Sequence, residues 1–295
     1  MTTHRESLRD FDRSRRMAFV QRILAFFSHQ SLNLLPFEQV REQLRLRDRH
    51  YRGLQEVPLN QIVGSVGRYQ DFTRTFLPRS DGLRERWSAV EDRVKAGGLP
   101  PVELYKVGEV YFVRDGNHRI SVARAQNVPD IEAFVWEYPS LVPLSPDDDL
   151  DDLLIKQGYV TFLEKTRLNK LRPSQHIELT APGRYRDLLE HIAVHRYFLS
   201  QEEGREFAAE EAVTSWYDNV YLPIIRAIRK QGILKQFPGR TEADLYIWAS
   251  CWQYKLSERY GKSISAEEAV DNFAEQDRRL DKKHQEHPDS ERDSQ

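Results

Sequence analysis

Apolar residues first recur at helical spacing. Leu8, Phe11, Ala18, Phe19, Ile23 and Phe26 predict an amphipathic helix over residues 5–29, and Phe37, Val40 and Leu44 predict a shorter one after it. From Val57 the pattern contracts to β-prone runs, Val57–Val63, Val102–Lys106, Val110–Val113 and Ile131–Trp136, separated by Gly, Pro and Asn. Two helices interrupt these runs. Asp81 is placed to cap one whose stripe is Leu83, Trp87, Val90 and Val94, and Asn117 to cap another over Arg119–Asn127. Together they predict a small mixed α/β domain over residues 53–138, preceded by the helices of residues 1–52.

The pattern then breaks. Pro139–Asp152 holds three prolines and then five aspartates within six positions, a composition that predicts an acidic linker over 139–152. Beyond it the period is helical throughout: Leu188, Ile192 and Leu199 mark one helix, Val213, Trp216, Val220 and Ile224 a second, and Leu245, Trp248, Trp252 and Leu256 a third. Pro223 is expected to kink or end the second. Thr241 with Asp244, and Ser265 with Glu268, have capping-box spacing and predict the starts of the last two helices. The aromatic stripe of Trp216, Tyr217, Tyr221, Trp248 and Trp252 reads as the core of a helical bundle. The predicted class is therefore α+β: a mixed α/β domain followed by an all-α domain over 153–280, with a charged tail at 281–295 expected to be disordered.

Composition changes this picture in two places. The 295 residues suit two domains, and a formal net charge of −2 denies the chain the basic field of a dedicated nucleic-acid binder. Locally, residues 1–52 carry eleven arginines against six acids, which suits either a solvated helix face or contact with DNA or an acidic protein partner. Cys251 is the single cysteine, so no intramolecular disulfide can form. A cytoplasmic location is the matching expectation, with Cys251 a buried, inert thiol between Trp248 and Trp252. Arg22 splits the N-terminal apolar run, and no window approaches the ~18 apolar residues of a membrane span.

The chemistry concentrates in one run. Val110–Arg119 delivers an apolar strand onto a glycine turn and a helix start, where the backbone N–H groups of Gly116, Asn117 and His118 would lack helical partners and the helix dipole favours an anion. Arg119 adds a bidentate grip. The plain alternative is a strand-to-helix connection with a capping Asn and a surface Arg, but a His-Arg pair beside a Gly turn has no packing reason. Three or four charge-assisted bonds at about 1.5–3 kcal/mol each only match the ~4–15 kcal/mol cost of association, so further groups are required.

Two sequence boxes surround this turn: Val57-Pro-Leu-Asn-Gln-Ile-Val-Gly-Ser-Val-Gly-Arg68 and Asp115-Gly-Asn-His-Arg-Ile-Ser-Val-Ala-Arg124, with Leu99-Pro-Pro-Val-Glu-Leu-Tyr between them. Through them, Glu56–Trp136 resembles the ParB N-terminal/sulfiredoxin superfamily, over less than a third of the chain. The resemblance implies a nucleotide, CTP or ATP, with Mg²⁺. It puts Gly116, Asn117, His118, Arg119 and Arg68 at the phosphates; Asp115 is expected either at the Mg²⁺ or shaping the turn, and Arg74 and Arg79 are expected, from their charge, to add positive potential. Asn117 stands where sulfiredoxin has its nucleophile, and an amide cannot attack a sulfinic phosphoryl ester, which excludes sulfinic acid reductase activity.

A free-serine kinase of the same fold has a similar phosphate turn. That likeness makes Asp71 or Asp115 a candidate catalytic base or metal ligand, beside the reading of Asp71 as a turn residue. The helical half is similar to that of uncharacterised ParB-like proteins, and Gly239 and Arg240 before a helix start form a candidate second anion site. His191 and His195 share a helix face at metal-ligand spacing, but lack the glutamate and third ligand of a metalloprotease and read as ordinary histidines. No helix-turn-helix is evident. The leading expectation is a nucleotide-binding regulatory protein, resetting by slow NTP hydrolysis. A small-molecule kinase or phosphotransferase, and a DNA-associated module or nuclease, are the alternatives.

Overall fold

Helix α1 (Thr2–Ser28) buries Ser7, Phe11, Ser14 and Ala18, residues spaced three or four apart. Its buried stripe therefore includes two serines and leaves Leu8 only half-buried, because small side chains let a neighbouring helix approach. That neighbour is α3 (Arg84–Gly97), whose Trp87 meets Phe11 edge-on at 5.7 Å. The computed structural model describes residues 2–28, 33–98, 100–260, 264–268 and 270–272; the side chains of Phe19, Ile23, Phe26, Trp252 and Leu256 and the tail 281–295 fall outside that description.

The strands are β1 (Leu35–Pro36), β2 (His50–Pro58), β3 (Ile62–Ser65), β4 (Val102–Val107), β5 (Val110–Asp115) and β6 (Asp130–Tyr138). They form a six-stranded mixed sheet in the order β1-β3-β5-β4-β6-β2. Pairs β1/β3, β3/β5 and β4/β6 are parallel; β4/β5 and β2/β6 are antiparallel. The expected single run Val57–Val63 is instead the end of β2, a 3₁₀ turn Leu59–Gln61, and the start of β3. Most of β2 escapes sequence reading because it is an edge strand whose residues before Val57 stay at least partly exposed, which removes the apolar alternation. At the β4–β5 hairpin, Gly108 takes φ 60°, the backbone a two-residue turn requires of its first position.

On one face of the sheet, α1, α3 and α4 (Asn117–Ala125) cover Val102, Leu104, Val113, Ala133 and Val135. Trp87 Nε1 donates to Ser121 Oγ at 2.9 Å, tying α3 to α4 inside that layer. On the other face, α2 (Phe37–Gln43) sets Phe37 against Tyr105, Phe112 and Tyr138. Two predicted caps are corrected. Asp81 lies in a 3₁₀ turn ahead of α3, bonds no backbone there and pairs with Arg15. Asn117 is the first residue of α4 itself, because its Oδ1 is taken by Ser65.

The chain divides into two compact units, Met1–Val160 and Thr161–Gln295. The division falls inside α5 (Leu150–Thr166), beyond the acidic run. Within that run Val142 and Leu144 are buried, and Arg74 donates to the carbonyls of Pro146 and Asp148 at 2.7 Å each. The second unit contains α6 (Leu168–Leu171), α7 (Arg184–Glu203), α8 (Ala209–Trp216), α9 (Leu222–Gln231) and α10 (Glu242–Tyr260), with no strand among its described residues. Trp216, Tyr217, Tyr221 and Tyr246 make its aromatic core, while Trp248 is only half-buried. A π-turn over Tyr217–Tyr221 separates α8 from α9, and Pro223, which lacks an N–H, sits in the first turn of α9. Both capping boxes form: Thr241 N donates to Asp244 at 2.9 Å and Ser265 N to Glu268 at 3.0 Å. Cys251 is exposed, not buried as expected. The molecule is thus of the α+β class that the sequence predicts. No helix among the described residues is long and apolar enough to cross a membrane.

Candidate functional site

Where β5 hands over to α4, Gly116 adopts φ 110°, and a Cβ there would meet Val102 Cγ1 at 2.5 Å. Only glycine satisfies both the left-handed backbone and that close approach. The turn leaves the first N–H groups of α4 without helical acceptors and no side chain caps them. Ser65, fully buried at the end of β3, holds the start of α4 in place. Its hydroxyl lies 2.9 Å from Asn117 Oδ1 and 3.2 Å from the Val113 carbonyl.

These groups open onto a cavity of about 660 Å³ lined by Gly67, Arg68, Asp115–Arg119 and residues of α3. The ends of the two sequence boxes therefore meet in one place. Arg68 takes a left-handed backbone, φ 56°, a conformation that costs a non-glycine residue about 1–3 kcal/mol, and it brings its guanidinium 3.2 Å from His118 Nε2. Because a guanidinium only donates, Nε2 accepts and the imidazole proton sits on Nδ1. That Nδ1 is buried without a partner on a residue only 5% exposed. Burial, with the charges of Arg86 and Arg68 behind it, lowers the His118 pKa from 6.5 to about 4, so the ring is neutral near neutral pH.

Arg119 is differently occupied from the free grip that the sequence suggests. Its guanidinium donates to the Pro101 carbonyl at 2.5 Å and the Pro100 carbonyl at 3.3 Å, and pairs with Asp115. It lines the cavity while fastening the strand entering β4. Asp71 pairs with Arg68 at 3.5 Å and does not line the cavity. Arg74 and Arg79 are also spent elsewhere, Arg79 on Asn33 Oδ1 at 2.7 Å. Sequence reasoning missed Arg86, Arg93 and Arg114, which join the lining together with Ala89, Val90, Val94 and Pro100. A signal existed for the first two: Arg86, Ala89, Val90, Arg93 and Val94 recur at helical spacing on one face of a predicted helix.

The lining thus holds five arginines and a neutral histidine against one carboxylate, Asp115. Such a cavity suits an anion, and its apolar wall of Ala89, Val90, Val94 and Pro100 suits a flat or aliphatic group beside it. For a metal, no cluster of three His, Cys, Asp or Glu exists among the described residues. Asp115 alone fits a Mg²⁺ ion that arrives on phosphate oxygens, since such ions take one or two carboxylates; it does not fit an all-protein cage.

In the second unit, Arg240 donates to Thr180 Oγ1 at 2.9 Å and lies 5.6 Å over Trp248, while the buried Asp244 carboxylate accepts from Thr180 and Thr241. A carboxylate thus occupies the helix start beside Gly239 and Arg240. His191 Nδ1 lies 3.3 Å from Tyr246 OH and His195 Nε2 3.0 Å from Ser215 Oγ, with burial lowering both pKa values. They act as polar contacts of the helix packing. Compared with models of known protein families and with curated proteins, the chain matches none.

Proposed function

We propose that the Met1–Val160 unit binds a nucleotide, CTP or ATP with Mg²⁺, in the manner of the ParB/sulfiredoxin-like superfamily, and serves a cytoplasmic regulatory protein that hydrolyses its ligand slowly. One observation carries the reading: the ends of both sequence boxes, Gly67–Arg68 and Asp115–Arg119, line a single cavity with a surplus of arginines beside the uncapped start of α4. Phosphates at the N–H groups of Asn117, His118 and Arg119 would find a donor in Arg68 as well. Asp115 would hold a Mg²⁺ ion brought by the phosphates, and the ion would neutralise part of their charge; Arg119, paired with Asp115, stands beside the same position. A ligand that draws Asp115 and Arg119 into its own contacts would favour one arrangement of the turn, which is what a switch needs.

The phosphotransferase reading rests on Asp115 alone, because Asp71 lies outside the cavity lining. The reading is tested by thermal unfolding of the full chain with CTP, ATP, GTP or UTP and Mg²⁺. CTP or ATP is expected to raise Tm, and Arg68→Gln to reduce the shift; Arg68 is partly exposed, so its loss leaves the core intact. No Tm shift with any of the four would overturn the assignment.

A further inference from the structure

Helix α3 carries seven charged residues, and three of them pair with α1. Arg84 pairs with Asp12, Lys95 with Asp10, and Asp92 with Ser7 and His4. Of the other acids, Glu91 is buried and pairs with Lys95, and Glu85 does not line the cavity. Arg86 and Arg93 are left on the cavity side, exposed, with no ion-pair partner among the described residues. Trp87, Ser88 and Glu91 are the buried face of the same helix, which fixes its rotation and keeps Arg86 and Arg93 turned to the cavity. Helix α3 thus presents cations and aliphatic side chains there and no carboxylate.

Seven residues of helix separate the two arginines, a rise of about 10 Å along the axis. The start of α4 and Arg68 line the same cavity with His118, whose Nδ1 is buried and unpartnered and whose ring feels the charge of Arg86 as well as that of Arg68. Five arginines against one carboxylate exceed what one phosphate can neutralise, and the stretch of helix from Arg86 to Arg93 exceeds what one can span. We propose that Arg86 and Arg93 form a second anion-binding wall, which holds the far end of a linear polyphosphate whose near end sits at α4 and Arg68. This selects ligands by the number of phosphates, and makes the two α3 arginines its specificity residues. It rests on the anion reading of the cavity, and not on the identity of the base.

The test is calorimetric titration of the full chain with inorganic tripolyphosphate, with inorganic phosphate, and with ATP and CTP. It compares the native protein with Arg86→Gln/Arg93→Gln and with Arg9→Gln, an exposed arginine of α1, as a control for general charge loss. The double variant is expected to weaken tripolyphosphate at least tenfold, and inorganic phosphate less than threefold, with Tm unchanged because both side chains are exposed. Equal tripolyphosphate affinity in the native and double variants would overturn the second wall while leaving the nucleotide reading standing. Tripolyphosphate bound through α3 with no gain from a nucleoside would support the wall and sink the nucleotide reading. Absence of binding by every ligand would overturn both.

Discussion

Gly116 and His118 show how much of the site is decided residue by residue. Glycine at 116 is compelled by its backbone and by Val102, and that turn is what frees the N–H groups of α4. His118 looks in sequence like a second cation beside Arg119, yet burial and two neighbouring guanidinium groups make it a neutral donor. Its pH behaviour follows. Below pH 6.5 the unfolded chain takes up a proton at this imidazole, while the folded protein does so only near pH 4. Folding stability at this residue is therefore complete above pH 6.5 and is lost as pH falls from 6.5 to about 4, by up to about 3 kcal/mol. Imidazole NMR should place the His118 midpoint near 4, and His118→Gln should flatten that part of the stability profile. A midpoint near 6.5 would contradict the buried, cation-flanked ring. Bound phosphate would move the midpoint upward, by supplying an opposite charge.

At the scale of elements, α3 joins fold and site. Its one face meets Phe11 and Ser121 through Trp87, and its other face lines the cavity, so the residues that pack the core also aim the arginines. The capping boxes separate in weight although their sequence patterns match. Ser265 and Glu268 exchange two exposed bonds, whereas Asp244 is 5% exposed and accepts from Thr180 N, Thr180 Oγ1 and Thr241 N. Ser265→Ala should cost about 1 kcal/mol, the usual value of a cap. Asp244→Ala, which leaves three donors short of their acceptor, should cost about 3 kcal/mol or more. Denaturant unfolding of the two variants measures this, and equal losses would show that the Thr180 contact contributes nothing.

For the whole molecule, a net charge of −2 coexists with a cavity lined by five arginines, so attraction to an anion is local. Short-range pairs of partly exposed charges are screened by salt over a Debye length of about 10 Å at 0.1 M. Tripolyphosphate affinity should fall at least tenfold between 50 and 500 mM NaCl, measured by the same titration; a flat profile would remove charge pairing as the source of binding.

The α+β class, strands β4 to β6 and the turn at Gly116–Arg119 are legible along the chain, because apolar period and glycine act within a few positions of one another. Edge strand β2 was not, since an edge strand loses the alternation that marks a buried one. Nor was the partition of the arginines. Arg119, Arg74 and Arg79 read as free cations and prove to be fasteners of carbonyls and side chains, while Arg86 and Arg93, which the sequence does not single out, line the cavity. The sequence by itself determined where a backbone could turn and present N–H groups, a matter of local conformation. Which charges are left over for a ligand was decided only by the tertiary structure, because an ion pair depends on neighbours that lie up to 80 residues or more away, as Asp10 does from Lys95.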